Sequence, residues 1–320
     1  MINIGLLAYG ETAQYALKSL LRKFKVDWII IPPKNSNNPH KPFPVEILAN
    51  KTDIKVIRTN TEEDILKAIK ETRPSVVVIS SYNEILSHKI LTFSKFINVH
   101  HGNLPQYKGR ANINWAIING KKKIGLIIHE TIPQLDSGNI YAQYSIPITE
   151  EDTVRTVYDK FNRIIEKNLA TVVQKVINGY KGQPQKGIST YCCGRLPEDG
   201  YIDWSWTSQR IYNFIRALTK PYPGAFTYLD DKKIIIWEAE IPGKPRVYEG
   251  RIPGRISMIH KDYGVEVLTG DSSIIIKNIN FKGKDINASK LIKLVKKTLG
   301  INLVLLYEQI ISLKKLIKTL

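Results

Sequence analysis

The run Asn98-Val99-His100-His101-Gly102-Asn103-Leu104-Pro105, followed downstream by Asp136-Ser137-Gly138, holds the residue types and spacing best suited to chemistry. In an extended strand side chains alternate between faces, so Ile97 and Val99 can pack into a core while Asn98 and His100 project together from the other side. Glycine and proline at 102 and 105 end regular pairing, which places the amide and imidazole near a strand terminus, where parallel sheets bind ligands. Acyl transfer to an amine needs such a pair. The imidazole accepts or relays the amine proton, and a fixed amide N–H steadies the oxyanion of the tetrahedral intermediate. A carboxylate such as Asp136 beside the imidazole would fix its tautomer and raise its pKa. The same residues also fit a strand cap, a packed histidine and an ordinary turn, and spacing alone favours that plainer reading.

Elements that position this run follow from hydrophobic periodicity. Residues 2–8 predict a strand, Thr12 to Phe24 a helix, Val26 to Ile31 a strand, a helix starts near Val45, Ile54 to Ile57 is a strand, Glu62 to Glu71 a helix and Ser75 to Ser80 a β-branched strand. Alternating elements imply a parallel sheet. The glycines at 5 and 10 do not form the dinucleotide fingerprint. Past the Asn98 strand come a helix at 113–118, a strand at 125–132 and a long helix from about Val154 to Ile177. Short strands broken by turns between 225 and 279 suit a small β-barrel. The expected organisation is a catalytic domain at 1–180, a linker at 181–200, a barrel at 201–298 and an amphipathic helix at 299–320, the last suited to docking or a homodimer.

Composition bounds the function. At 320 residues the chain can bury two cores, and 43% hydrophobic with 24% charged residues is an ordinary globular balance. The net charge of +18 suits an anionic partner, but residues 200–320 hold only 20 Lys and Arg against 11 Asp and Glu, so half of it lies in each part. No single basic block marks a nucleic-acid surface. Two adjacent cysteines, Cys192 and Cys193, form neither a disulfide framework nor a metal clamp, which points to a reducing cytoplasm. The opening strand lacks signal-peptide features, and no run of about 18 uncharged apolar residues predicts a membrane span.

The arrangement Asn98-Val99-His100, Leu104-Pro105, Tyr107-Lys108-Gly109 and Leu135-Asp136-Ser137-Gly138 resembles the signature of formyltransferases that use N10-formyltetrahydrofolate. Pro44-Val45 upstream, and Ile202-Asp203-Trp204 and Pro221-Tyr222-Pro223-Gly224-Ala225-Phe226 downstream, extend the likeness in the same order. The resemblance implies an α/β fold: a parallel-sheet, Rossmann-like catalytic domain, then a small OB-like β-barrel and a C-terminal helix. It assigns oxyanion and formyl positioning to Asn98, proton transfer to His100, and orientation and tuning of His100 to Asp136, with no metal. The folate would meet Arg110, backbone groups of Glu84, Ile85 and Leu86, and the segment Ile132, Pro133, Gln134 and Leu135. The chain departs from the family at His101-Gly102-Asn103, where a small residue, Ser and Leu are usual; His101 either contacts substrate or packs, and packing is favoured.

Within this family the closest likeness is to the formyltransferase domain of the bifunctional enzyme acting on UDP-4-amino-4-deoxyarabinose. It rests on Gly109-Arg110-Ala111, Asn114-Trp115, Asn119-Gly120 and Cys192-Cys193-Gly194-Arg195-Leu196-Pro197. The loop from Pro32 to Pro42 is polar and lacks the Arg-Lys run of methionyl-tRNA formyltransferases. The acceptor expected is therefore the amine of a nucleotide-linked amino sugar, UDP- or dTDP-borne, a precursor of lipopolysaccharide or O-antigen. Tyr107, Lys108, Gly194 and Arg195 are candidates for its site, and methionyl-tRNA is the alternative acceptor.

Overall fold

The computed structural model describes residues 2–33 and 43–319. The polar loop between Pro32 and Pro42, used above to weigh the acceptor, lies almost wholly outside them. The first elements alternate: β1 (Asn3–Ala8), α1 (Gly10–Leu20), β2 (Lys25–Ile31), α2 (Phe43–Lys51), β3 (Lys55–Arg58), α3 (Glu62–Thr72), β4 (Val76–Ser80), α4 (His88–Leu91) and β5 (Phe96–His101). After them come β6 (Lys108–Gly109), α5 (Asn112–Ile118), β7 (Lys123–Glu130), β8 (Ile140–Pro147), α6 (Val154–Ile177) and β9 (Tyr191–Cys192). One seven-stranded sheet runs β3-β2-β1-β4-β5-β7-β8. β1 to β5 pair in parallel, and Val76 to Ser80 is buried throughout, as a strand covered on both faces must be.

Two features were not anticipated. β7 runs antiparallel to β5, and β8 adds a further antiparallel strand at the edge. β8 buries only Tyr141 and Ile146 among half-buried and exposed positions, as suits a strand at the sheet edge. Helix α6 begins at a reciprocal Thr153–Thr156 capping box and buries Val157, Phe161, Ile165 and Leu169; Ala170 N–H donates to Ser19 Oγ on α1 at 3.1 Å. Gly5 faces Trp28 across β1 and β2, where a Cβ would lie 2.2 Å from the indole ring.

The expected linker divides. Residues up to Arg195 belong to a first compact unit with 1–116 and 121–195, whereas 117–120 and 196–320 form a second. The second unit holds α7 (Ser208–Leu218), β10 (Ala225–Leu229), β11 (Lys232–Glu240), β12 (Ile256–His260), β13 (Gly264–Leu268), β14 (Ser273–Phe281), β15 (Lys284–Asn287), α8 (Ala288–Leu291) and α9 (Leu303–Thr319). Its sheet is antiparallel in the order β10-β11-β14-β13-β12, with β15 on β14. Leu299 bridges Leu229 at the end of β10 and Thr298 bridges Arg255 beside β12, so one segment ties both edge strands. Side chains of α9 are exposed from Leu303 to Ile317. Among the described residues no helix is long and apolar enough to cross a membrane.

Candidate active site

Asn98 and His100 lie on β5, and the antiparallel register sets Asn98 directly opposite His129 of β7. Residues opposite each other in a ladder share a face, so His129 joins the amide and imidazole. Asp136, from the turn after β7, completes the group. Its Oδ2 is 3.5 Å from His100 Nδ1 and its Oδ1 is 3.6 Å from His129 Nε2 and 3.5 Å from Asn98 Nδ2. The structure therefore brings together all three residues expected from the sequence, and adds a fourth that sequence reasoning missed.

The surroundings fix the tautomers. His100 Nε2 is 2.8 Å from the Tyr107 carbonyl, which can only accept, so Nε2 carries hydrogen and Nδ1 faces Asp136. The amide nitrogen of Asn112, 3.2 Å from the same Nε2, donates to the Gly109 carbonyl at 3.1 Å. His129 Nδ1 lies 2.6 Å from the Glu130 carbonyl and carries hydrogen for the same reason. When neutral, its Nε2 accepts from Asn98 Nδ2 at 3.3 Å; when protonated, it donates toward Asp136. Asp136 also accepts from the Gly109 N–H at 2.9 Å.

Burial is the largest influence on His100 and lowers its pKa; Asp136 and the Tyr107 carbonyl pull it up, while His129 and Lys108 push it down, and the net direction is below the ordinary histidine value. The expectation that Asp136 would raise it is right in sign for that pair alone, but burial outweighs it. For Asp136, burial acts upward and is overcome by the hydrogen bond from His129, the charge of His100 and the Gly109 N–H, so the carboxyl falls to about 2. At neutral pH the site thus holds a carboxylate against a neutral, proton-accepting imidazole. The ligand atoms of His100, His129 and Asp136 lie within 4.8 Å of one another, a spacing a cation could enter, but proton transfer and oxyanion binding ask for none.

Other candidates fall in three places. Lys108 is 3% exposed, and its ammonium donates to Ser137 Oγ at 2.6 Å, so it is turned onto the Asp136-Ser137-Gly138 turn and away from solvent. Tyr107 holds His100 through its backbone and has φ 57. Arg110 and Gly194 are exposed, and the guanidinium of Arg195 lies 4.8 Å over the Trp115 ring. Leu86 is buried, Glu84 and Ile85 are exposed, Ile132 is half-buried and Pro133, Gln134 and Leu135 are exposed. His101 packs against the rings of Tyr158 and Phe161, with centroids 5.5 and 5.2 Å away.

Residues 34–173 match the formyl transferase family and residues 196–294 match the formyl transferase C-terminal domain. A methionyl-tRNA formyltransferase of Caldanaerobacter subterraneus is 36% identical over 250 residues, 73% of this chain and 80% of that protein. The chain belongs to the formyl transferase family. This formyltransferase is also 41% identical over 179 residues, 54% of its length, to the bifunctional polymyxin resistance protein ArnA of Wigglesworthia glossinidia brevipalpis, of which it spans only 27%. Among solved structures, an N-formyltransferase from Helicobacter canadensis superposes with a TM-score of 0.61 at 23% identity, covering 86% of this chain and 99% of that one, a likeness of fold. Family and fold agree with what the sequence implied.

Proposed function

We propose that this formyltransferase moves the formyl group of N10-formyltetrahydrofolate onto the amine of a nucleotide-linked amino sugar. The observation that carries the acceptor is the pairing of β6 with β9, Lys108 opposite Tyr191 and Gly109 opposite Cys192. It joins the two segments that look most like the aminoarabinose enzyme, 109–115 and 192–195, into one surface bordering the catalytic turn. Trp115 Nε1 donates to the Cys193 carbonyl at 2.9 Å and Arg195 stacks on the same indole. The Trp115 ring with Arg195 stacked on it offers a nucleotide an aromatic wall and a charge for its diphosphate, leaving Arg110 to the folate as the resemblance implies. ArnA, which shares the higher identity over the catalytic part, supports this reading, as do two similar folds: the Helicobacter canadensis enzyme solved with folinic acid and dTDP-3-aminofucose, and a sugar 3N-formyltransferase solved with dTDP and 5-N-formyl-THF.

The donor fits as well. Ile85, 83% exposed, and Leu135, 49% exposed, are large apolar side chains left in solvent on the two loops expected to border the pterin. With the acceptor in place, the amine lone pair attacks the formyl carbon, a C–N bond forms, and the carbonyl π pair moves to oxygen. Asn98 Nδ2 turns its N–H from His129 to that oxyanion. His100, neutral before reaction, takes the proton the amine loses and delivers it to N10 as the C–N10 bond breaks, so one formyl group crosses in one direction and one proton in the other.

Methionyl-tRNA is the second reading, favoured by the longer alignment with the methionyl-tRNA formyltransferase and by the net charge of +18. Incubation with N10-formyltetrahydrofolate and either UDP- and dTDP-linked amino sugars or charged initiator tRNA decides between them. A sugar nucleotide gaining about 28 mass units, a formyl group in place of hydrogen, supports the proposal; turnover with tRNA alone replaces it.

A further inference from the structure

The segment 183–192 sits in a stretch whose glycines and prolines read as a linker, but its hydrogen bonds run to both halves of the catalytic site. Gln183 pairs with Ile140 through two backbone bonds of 2.7 and 2.9 Å, which anchors the start of the segment on β8. Gln185 Nε2 then donates to the carbonyls of Asp136 and Gly138, both at 2.9 Å. Farther along, Thr190 Oγ1 accepts from the Tyr107 N–H at 3.0 Å, the Thr190 carbonyl accepts from the Lys108 N–H at 2.9 Å, and the Cys192 carbonyl accepts from the Arg110 N–H at 3.2 Å.

These contacts fall on backbone that does not hold its shape unaided. Asp136 has φ 45 and Tyr107 has φ 57, both in the left-handed region that non-glycine residues avoid. Asp136 must adopt it to turn its carboxylate toward His100 and His129, and Tyr107 must adopt it to present its carbonyl to His100 Nε2. The catalytic imidazole is thus bound by the Tyr107 carbonyl at Nε2 and faces Asp136 at Nδ1, which pairs with it once it takes a proton, and one short segment grips the backbone of both partners. Ser137, between the two carbonyls that Gln185 binds, is gripped from the other side by the buried Lys108.

We propose that 183–192 is a brace for the catalytic site, with Gln185 and Thr190 as positioning residues that set the Asp136 carboxylate and the Tyr107 carbonyl against His100. Both side chains bind backbone groups of Tyr107, Asp136 and Gly138. The proposal rests on the reading of Asn98, His100 and Asp136 as the formyl-transfer machinery, and the wild-type enzyme tests that reading separately in every experiment.

Gln185→Leu keeps the side chain's bulk and removes both donors, and Thr190→Val removes the hydroxyl acceptor while Thr190→Ser restores it. Misplacement of a reacting group by about 1 Å costs on the order of 10²-fold in rate, so Gln185→Leu is expected to lower kcat about 10- to 100-fold, with KM for both substrates within about threefold. The pH-rate profile is the readout that a merely structural role would not move. A displaced carboxylate raises the His100 pKa less, so the acid limb of kcat/KM shifts to lower pH in Gln185→Leu. The His100 ring signals in a ¹H–¹⁵N spectrum of labelled, ligand-free protein shift their titration the same way, independently of turnover. Thr190→Val is expected to lower kcat and Thr190→Ser to recover it. Wild-type turnover together with an unchanged kcat, acid limb and His100 titration in folded Gln185→Leu would overturn the brace. Absence of formyl transfer by the wild type would instead overturn the reading of the site, while the titration still reports on the brace.

Discussion

Replacing Asp136 with Asn tests the electrostatics of the site without altering its shape. Asn tolerates left-handed backbone as well as Asp does, so φ 45 survives, and Gln185 binds the carbonyls of residues 136 and 138 rather than the side chain. What is lost is the charge. In the folded protein the carboxyl is held at about 2 against an ordinary 3.8, which corresponds to roughly 2 kcal/mol of favourable interaction with the ionised form. Because the folded pKa is depressed, that stability is present above pH 3.8 and is lost as pH falls toward 2. Urea melts near pH 5 should therefore show the variant less stable by up to about 2 kcal/mol, with the gap closing below about pH 4 and shrinking toward pH 7, where the His100 imidazole is neutral and no longer faces the carboxylate as a charge. Turnover should fall by ~10²–10⁴, the usual contribution of a general acid–base unit. Asp136 is the largest upward influence on His100, so its removal lowers the His100 pKa further and moves the acid limb of kcat/KM to lower pH. Initial rates of formylated product across pH 5–9 measure both effects. An acid limb unchanged from wild type, with turnover reduced or not, refutes the claim that Asp136 tunes His100 by charge.

His129→Asn keeps a donor for the Glu130 carbonyl but removes the imidazole that lowers the His100 pKa, so the acid limb should move to higher pH, opposite to Asp136→Asn, with kcat about tenfold down; a shift in the same direction for both variants contradicts the assigned roles. Burial and the neighbouring Cys193 push the Cys192 thiol up to about 11 whereas Cys193 is exposed, so iodoacetamide at pH 7.5 should label Cys193 first, which peptide mapping reads directly. Gly5→Ala places a methyl 2.2 Å from the fully buried Trp28 ring and should cost about 1–3 kcal/mol in urea unfolding, while the acid limb of the surviving activity stays in place.

The parts of the site that could be read from the sequence are those fixed by one strand's alternation or by a contiguous motif. Asn98 and His100 share a face because they are two apart on β5, and the turn Asp136-Ser137-Gly138 announces itself by composition. His129 could not be placed that way, because its position depends on a cross-strand register. An alternating α/β pattern predicts parallel neighbours, and only the antiparallel run of β7 sets residue 129 opposite residue 98. One signal was available: His129 is the first polar residue after the run Leu126-Ile127-Ile128, and a polar group at the end of a buried strand needs a partner. The net direction of the His100 pKa is hidden from the sequence for a related reason. Pairing with a carboxylate can be inferred from residue types, but the burial that outweighs it belongs to the packed site.

Gln185 shows where sequence reading stops. Gly182, Pro184 and Gly187 mark a linker by every compositional rule, and those rules describe local backbone freedom correctly. They say nothing about which strained carbonyls lie within reach of a side chain 49 residues from Asp136 along the chain. A left-handed aspartate in a catalytic turn needs something outside the turn to hold it, because its own backbone does not favour the shape. The holder need carry no charge and no reactive group, only two N–H bonds aimed at the carbonyls of Asp136 and Gly138. A glutamine among glycines and prolines is therefore what such a holder looks like in sequence, and the antiparallel anchor of Gln183 on β8 is what turns it from a linker residue into part of the active-site frame.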